Sequence, residues 1–296
     1  MLKLILCFCL TFAGQTLALA ETQSSVYPSL LIAGDIADCT KAKPETTFAY
    51  QTGQLIKDQL QHEPQALVLT LGDNVYKDGT ESEFLSCYDK TWGEFKASTY
   101  PSPGNHEYHT AAGADYYRYF ADAAVKNSTG YYSFNVQNWH VISLNSNLKA
   151  AEHAEQMRWL LEDLKKNATT CTFAFWHHPV FSSGQHGNDP QMLDVLKVLY
   201  QAHVQFVLNG HDHNYERFQK MSPDGQLDLN HGFTEFVVGT GGAHLRPIQI
   251  RKNHSAVFDS ENYGVLKINL SDQHYRWKFI SVNGSLQDAG ESDCVH

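Results

Sequence analysis

Long apolar runs are scarce in this chain of 296 residues. One lies at the N-terminus, where Lys3 is followed by an uncharged apolar run as far as Leu19, and Ala18-Leu19-Ala20 supplies the small residues that a signal peptidase reads. Residues 1–20 are therefore expected to be a signal peptide, with Glu21 as the mature start, residues 21–27 as a polar linker, and export as the fate. No second run approaches the roughly 18 apolar residues of a membrane span, so the mature chain is expected to be soluble. Basic residues are also in short supply: 22 Lys and Arg stand against 32 Asp and Glu, a formal net charge of −10 that falls by one more unit when Lys3 leaves. That balance argues against a nucleic-acid backbone as the main partner. The small basic cluster Arg246, Arg251 and Lys252 reads as a solvated loop.

Cysteine is sparse too. Cys7 and Cys9 leave with the signal, and Leu6 before Cys7 is too large for a lipidation signal. Cys39, Cys87, Cys171 and Cys294 remain, an even number in an exported chain, which implies two disulfides. Sequence does not choose among the three possible pairings. The pairing taken as the expectation is Cys39 with Cys87, both downstream of candidate site loops, and Cys171 with Cys294, tying the C-terminus to a strand. Internal repeats, low-complexity tracts and a second-domain linker are all missing, so residues 28–296 are expected to form a single domain. Five Asn-x-Ser/Thr sequons, at Asn127, Asn167, Asn253, Asn269 and Asn283, matter only in a host that glycosylates.

What is present is an alternation of apolar strands and helical stretches. Residues 30–33 and 66–71 read as buried strands, each stopped by glycine and aspartate: Gly34-Asp35 and Gly72-Asp73. Residues 45–61 read as a helix broken at Pro64, and 81–96 as another, with Phe84, Leu85, Tyr88, Trp92 and Phe95 at helical spacing. A short extended piece ends at Pro103-Gly104-Asn105-His106-Glu107. Residues 131–134 and 139–144 read as adjacent strands turned at Gln137-Asn138. Residues 154–166 form an amphipathic helix with Met157, Leu160, Leu161 and Leu164 on one face. Residues 171–176 are a strand ending at His177-His178-Pro179. Residues 192–202 are helical and lead into the strand 204–208, which ends at Gly210-His211-Asp212-His213. Strands at 233–238, 263–270 and 274–282 complete the chain. The pattern is that of an α/β protein whose central sheets are covered by helices.

Five separate strands thus end in a potential metal ligand: Asp35, Asp73, Asn105, His177 and His211. Four of these ligands directly follow a glycine. Any one of them is explained as a turn or helix cap, but five in one chain are not, because carboxyl ends of neighbouring strands are where ligands are gathered. His211 and His213 throw two imidazoles into one small volume.

The series Gly72-Asp73-Asn74-Val75-Tyr76, Gly104-Asn105-His106-Glu107, His177 after an apolar strand, and Gly210-His211-Asp212-His213 resembles the calcineurin-like metallophosphoesterase superfamily and, within it, the purple acid phosphatases. Tyr76 carries the narrower resemblance. Most of the superfamily has an Asp-x-His first motif, whose histidine position is Ala37 here, and Tyr76 stands where these phosphatases place a tyrosinate. The family's usual Gly-Asp-x-Gly is Gly34-Asp35-Ile36-Ala37. The turn after Asp35 is therefore expected to differ or to be helical, with Asp38 as the fallback ligand. The resemblance implies a sandwich of two central mixed β-sheets flanked by helices. It further implies two metal ions sharing Asp73: Fe(III) with Asp35, Tyr76 and His213, and Fe(II), Zn(II) or Mn(II) with Asn105, His177 and His211. The activity it implies is hydrolysis of a small phosphomonoester by attack of metal-bound hydroxide. His106, next to Asn105, and His186, where mammalian members of the family also place a histidine, are then expected to contact substrate and serve as general acid. His178 and His244 are weaker candidates. A phosphodiesterase or nucleotide-cleaving enzyme on the same scaffold, and a non-catalytic metal-binding protein, are the competing readings.

Overall fold

The computed structural model describes residues 27–121, 129–167, 171–248, 250–285 and 288–294, so the expected signal peptide, nearly all of the expected linker, and sequon Asn127 lie outside the described residues. Two mixed sheets form the centre. The first runs, edge to edge, through Ala289–Asp293, His274–Ser281, Gly264–Leu270, Ser29–Ala33, Leu67–Leu71 and Thr99–Ser102. Its last three strands are parallel and the others antiparallel. The second runs through Ser255–Asp259, Tyr215–Phe218, Thr234–Val238, Phe206–Asn209, Cys171–Phe175, Trp139–Ser143 and Tyr132–Val136, with a parallel centre.

The parallel strands read as continuous apolar runs because both their faces are covered. In the second sheet Phe173, Phe175, Phe206 and Leu208 point between the sheets, where Phe173 stacks on Phe206 at 4.6 Å and Phe206 meets Tyr275 of the first sheet at 4.7 Å. Their alternates Ala174 and Val207 point outward, into a second core with Leu160 of the helix Ala150–Lys166 and Val195, Leu196 and Leu199 of the helix Leu193–Gln201. The helix Phe48–His62, capped by the Thr47 side chain accepting from Tyr50 N, buries Ala49, Thr52 and Ile56.

Two helical expectations are corrected. Residues 81–98 are not one regular helix: Phe84–Tyr88 is a π turn, and Leu85 is turned out to solvent. In the helix Ala150–Lys166, Leu160 is buried but Leu161 is exposed, since adjacent helical residues lie about 100° apart and cannot share a narrow stripe. The strands Tyr215–Phe218, Ser255–Asp259 and Ala289–Asp293 were not foreseen. Both expected disulfides are present, with Cα separations of 5.8 Å for Cys39–Cys87 and 5.9 Å for Cys171–Cys294. Among the described residues no helix is long and apolar enough to cross a membrane.

At their carboxyl ends the central strands of the two sheets converge. Gly34 N donates to Val238 O at 2.9 Å, Gly241 N to Gly34 O at 2.9 Å, and the His177 ring bonds Leu71 O at 2.8 Å. Every strand that ends in a candidate ligand ends in this crevice.

Candidate metal centre

The turns that deliver the ligands are tightly constrained. Asp35, Asp73 and His211 all have positive φ, at 57°, 48° and 69°, a region that L-residues with side chains avoid. Such strain persists where the surroundings over-determine it. Here Asp35 N, Ile36 N and Ala37 N donate to the carbonyls of Gly72, Asp73 and Asn74, zipping the first two ligand loops together. The turn after Asp35 is therefore extended rather than helical, and Ala37 pairs with Val75 as a short strand. The missing glycine costs nothing there because Asp35, not Ala37, takes the left-handed conformation. Asp38, the fallback ligand, turns Oδ1 away to accept from Thr40 N and Oγ1. Gly104 is required by close approach, since a Cβ there would lie 2.1 Å from Asp73 Oδ1.

The seven sequence-predicted ligands come together as two sets of atoms. In the first, Tyr76 Oη lies 3.1 Å from Asp35 Oδ1, 3.2 Å from Asp73 Oδ2 and 3.2 Å from His213 Nε2, with His213 Nε2 3.4 Å from Asp35 Oδ1. In the second, His177 Nε2 lies 3.3 Å from Asp73 Oδ2, 3.1 Å from Asn105 Oδ1 and 3.3 Å from His211 Nδ1. Asp73 Oδ2 belongs to both. His177 and His213 each turn their Nδ1 to a backbone carbonyl, Leu71 O and His244 O, both at 2.8 Å, so each Nδ1 carries a proton and each ring is oriented with Nε2 toward the cluster. Carboxylate oxygens, a phenol oxygen, an amide oxygen and imidazole nitrogens thus converge in a buried space. Burial opposes a charge on His177, but Asp73 and Asp35 outweigh it and raise its pKa to about 9, so Nε2 holds a proton that a bound cation would replace. That donor chemistry fits cations, with the harder oxygen-rich set suited to a trivalent ion and the nitrogen-rich set to a divalent one.

Charges follow the same logic. Burial opposes ionisation of Asp73, but His177 beside it and the bond from His106 N outweigh burial and hold its carboxyl well below the usual range. Burial, then Asp35 and Asp73, push the Tyr76 phenol well above its ordinary value, so a phenolate here needs compensating positive charge. The second oxygen of each aspartate is fixed by a backbone donor: His211 N to Asp35 Oδ2 at 2.8 Å and His106 N to Asp73 Oδ1 at 2.9 Å.

His106 and His186 lie against different members of the cluster. His106 tilts against Tyr76 at 4.4 Å, with Nε2 3.7 Å from Asp73 Oδ2 and Nδ1 on Lys77 O. His186 packs on the His211 ring at 4.2 Å. His178 is also beside the cluster, its Nδ1 2.7 Å from Ser146 Oγ, and burial, then His177, lower its pKa to about 3. His244 contributes only its backbone carbonyl to the ring of His213, and its side chain is exposed.

Several supporting residues escaped the sequence reading. Glu107, fully buried, accepts from Asn74 N, Val75 N and Gly104 N, tying the second ligand loop to the third. Three buried acidic side chains hold residues 180–187, which carry His186: Glu235 accepts from Val180 N and Phe181 N, Glu216 from Ser183 N and Oγ, and Asp212 from Ser182 Oγ, His186 N and Gly187 N. Arg246, read from sequence as a solvated loop residue, donates from Nη1 to His186 Nε2 at 2.6 Å, and its backbone N donates to His213 O at 3.0 Å. The acidic residues had one legible signal, since each lies within a few positions of a ligand or in an apolar strand where a carboxylate is out of place.

Two sets of donor atoms sharing one carboxylate at the carboxyl ends of two packed mixed sheets are the arrangement a metallophosphoesterase-type centre requires. Residues 28–215 match the calcineurin-like phosphoesterase family, and the chain belongs to that family. Within it, the relatives are purple acid phosphatases. Purple acid phosphatase 15 of Arabidopsis thaliana is 29% identical over 232 residues, covering 66% of this chain and 43% of the relative. Purple acid phosphatase 21 of the same plant is 26% identical over 287 residues, covering 87% and 61%. This chain therefore spans about half the length of these relatives. Among solved structures, a purple acid phosphatase from yellow lupin (Lupinus luteus) seeds superposes with a TM-score of 0.75 at 18% identity, covering 93% of this chain and 55% of that one. The anchor in the inner membrane complex of Plasmodium superposes with a TM-score of 0.73 at 16% identity, covering 92% and 90%. These likenesses are of fold.

Proposed function

We propose that this chain is an exported dinuclear metallophosphatase that hydrolyses small phosphomonoesters, with residues 28–296 as its single catalytic domain. The observation that carries the reading is Asp73 Oδ2, shared at 3.2–3.3 Å between an oxygen-rich set and a nitrogen-rich set. In this reading Asp35, Asp73, Tyr76 and His213 hold Fe(III), while Asp73, Asn105, His177 and His211 hold Fe(II), Zn(II) or Mn(II). When bound, the ions supply Lewis-acid charge for phosphoryl oxygens and lower the pKa of water. The remaining work falls to the side chains. His106 and His186, beside the two sets, orient the ester, and one of the two protonates the leaving oxygen; at rest His186 Nε2 accepts from Arg246 Nη1, whereas His106 bonds Lys77 O through Nδ1 and keeps Nε2 toward the cluster, 3.7 Å from Asp73 Oδ2. Asp212, Glu216 and Glu235 keep the His186 segment in place. Two disulfides and the expected signal peptide support export.

Fold does not choose the activity, since a Plasmodium anchor protein shares it. The test is hydrolysis of p-nitrophenyl phosphate and its bis-ester side by side from acid to alkaline pH, with Asp73→Asn as control. Monoester preference by more than about tenfold, lost in the variant, is the expected result. A diester preference would move the function to phosphodiester cleavage, and no hydrolysis at any metal loading would leave a metal-binding protein.

A further inference from the structure

Arg246 is an arginine without a counter-ion. Arg118, Arg158, Arg217 and Arg276 each lie within ion-pair distance of a carboxylate; among the described residues Arg246 and Arg251 do not, and Arg251 turns its guanidinium to Ser255 O and Ala256 O, away from the cluster residues. The Arg246 guanidinium instead donates to a ring nitrogen of an imidazole, His186 Nε2, at 2.6 Å. Its position is also anchored at both ends of the site. The backbone bond to His213 O ties it to the oxygen-rich set, and its side chain reaches His186, which lies on His211 of the nitrogen-rich set. The arginine therefore spans the mouth of the cluster with most of its five N–H donors unspent on anions.

We propose that Arg246 is a substrate-binding residue that distinguishes phosphomonoesters from diesters by taking the third free phosphoryl oxygen. This deepens the phosphatase reading and rests on it. A phosphomonoester dianion has three non-bridging oxygens and a diester has two. Were each donor set to hold an ion that takes one phosphoryl oxygen, an oxygen would be left for a further donor only in the monoester. A guanidinium fork matches that oxygen in both charge and geometry. Moving onto it releases His186 Nε2 from its resting bond. A diester offers the same arginine an esterified oxygen and a carbon substituent, which it cannot grip.

The test compares Arg246→Gln and Arg246→Lys with the wild type, each loaded with metal and checked for metal content and circular dichroism. Two readouts are used: the ratio of kcat/KM for p-nitrophenyl phosphate to that for its bis-ester, and calorimetric affinity for inorganic phosphate against dimethyl phosphate. In Arg246→Gln the ratio and the phosphate affinity should each fall about tenfold to a hundredfold, the range of a hydrogen bond between charged groups, with Arg246→Lys recovering part of both. Equal losses for both esters with unchanged phosphate affinity would show that Arg246 only orients His186, and would overturn the proposal. So would a variant identical to the wild type. If the wild type hydrolyses neither ester, the phosphatase reading fails by itself, and the phosphate titration still decides whether Arg246 grips the anion.

Discussion

At the scale of single residues, Asp73 differs from every other ligand candidate because one of its oxygens serves both sets. Removing a ligand that belongs to one set should cost one ion, and removing Asp73 should cost both. Metal analysis after dialysis should therefore give one retained equivalent for Asn105→Ala or Asp35→Asn and close to none for Asp73→Asn. Activity of Asp73→Asn should fall by at least about a thousandfold, the several kcal/mol of charge stabilisation that a metal site provides. Two retained ions in Asp73→Asn would break the shared-ligand assignment. Much of this scale was legible in the sequence, since five of the seven ligand candidates are strand-end residues, four of them after a glycine, while Tyr76 and the ligand role of His213 came from the family resemblance. Arg246 was not, because a single charge in an irregular stretch carries no period and its role lies in a contact 60 residues away in the chain.

At the scale of elements, the strands Tyr215–Phe218 and Thr234–Val238 show what hid part of the fold. Each carries a buried glutamate, Glu216 and Glu235, where a strand pattern asks for an apolar residue. The first is short and mixed in character, so its period did not register, whereas apolar neighbours made the second readable. The glutamates hold the His186 segment, and their burial has a consequence for pH. Burial, opposed only in part by bonds from Phe181 N and Val180 N, pushes the Glu235 carboxyl up to about 8. The folded state thus retains a proton that the unfolded chain releases near its ordinary value of 4.5. Between those two values the folded protein binds more protons, so this group's contribution to stability falls as pH rises and is flat above the folded value. Glu235→Gln keeps an acceptor for both amides and cannot ionise. Urea unfolding should find variant and wild type equal near pH 4.5, and the variant more stable by about 2–4 kcal/mol at pH 8, with most of the gain developed between. Parallel pH curves for the two proteins would mean that Glu235 is not the group responsible.

At the scale of the whole molecule, the two disulfides brace opposite ends of the same architecture. Cys39 directly follows Asp38, which pairs with Tyr76 in the short parallel strand beside the ligand loops, and Cys87 lies in the π turn packed near it. Cys171 opens the strand Cys171–Phe175, whose other end leads to His177, so at about 3.3 Å per residue its bond to Cys294 lies roughly 20 Å from the ligand turns. Both close long loops, of 48 and 123 residues of separation, and each should contribute about 2–5 kcal/mol of stability by restricting the unfolded chain. Their effects on the site should nonetheless differ. Replacing Cys171 and Cys294 together by serine should lower the unfolding midpoint while leaving metal content and kcat/KM as in the wild type, because the sheets still converge on intact turns. Replacing Cys39 and Cys87 should lower the midpoint and also weaken retention of the ion assigned to the Tyr76 set, since the bridge braces the strand pair that aims the phenol. Chelator titration of the two double variants, following release of each ion separately, distinguishes the cases. Loss of the same ion from both variants would mean that the disulfides act only through global stability and that the metal centre depends on the whole sandwich rather than on its near edge.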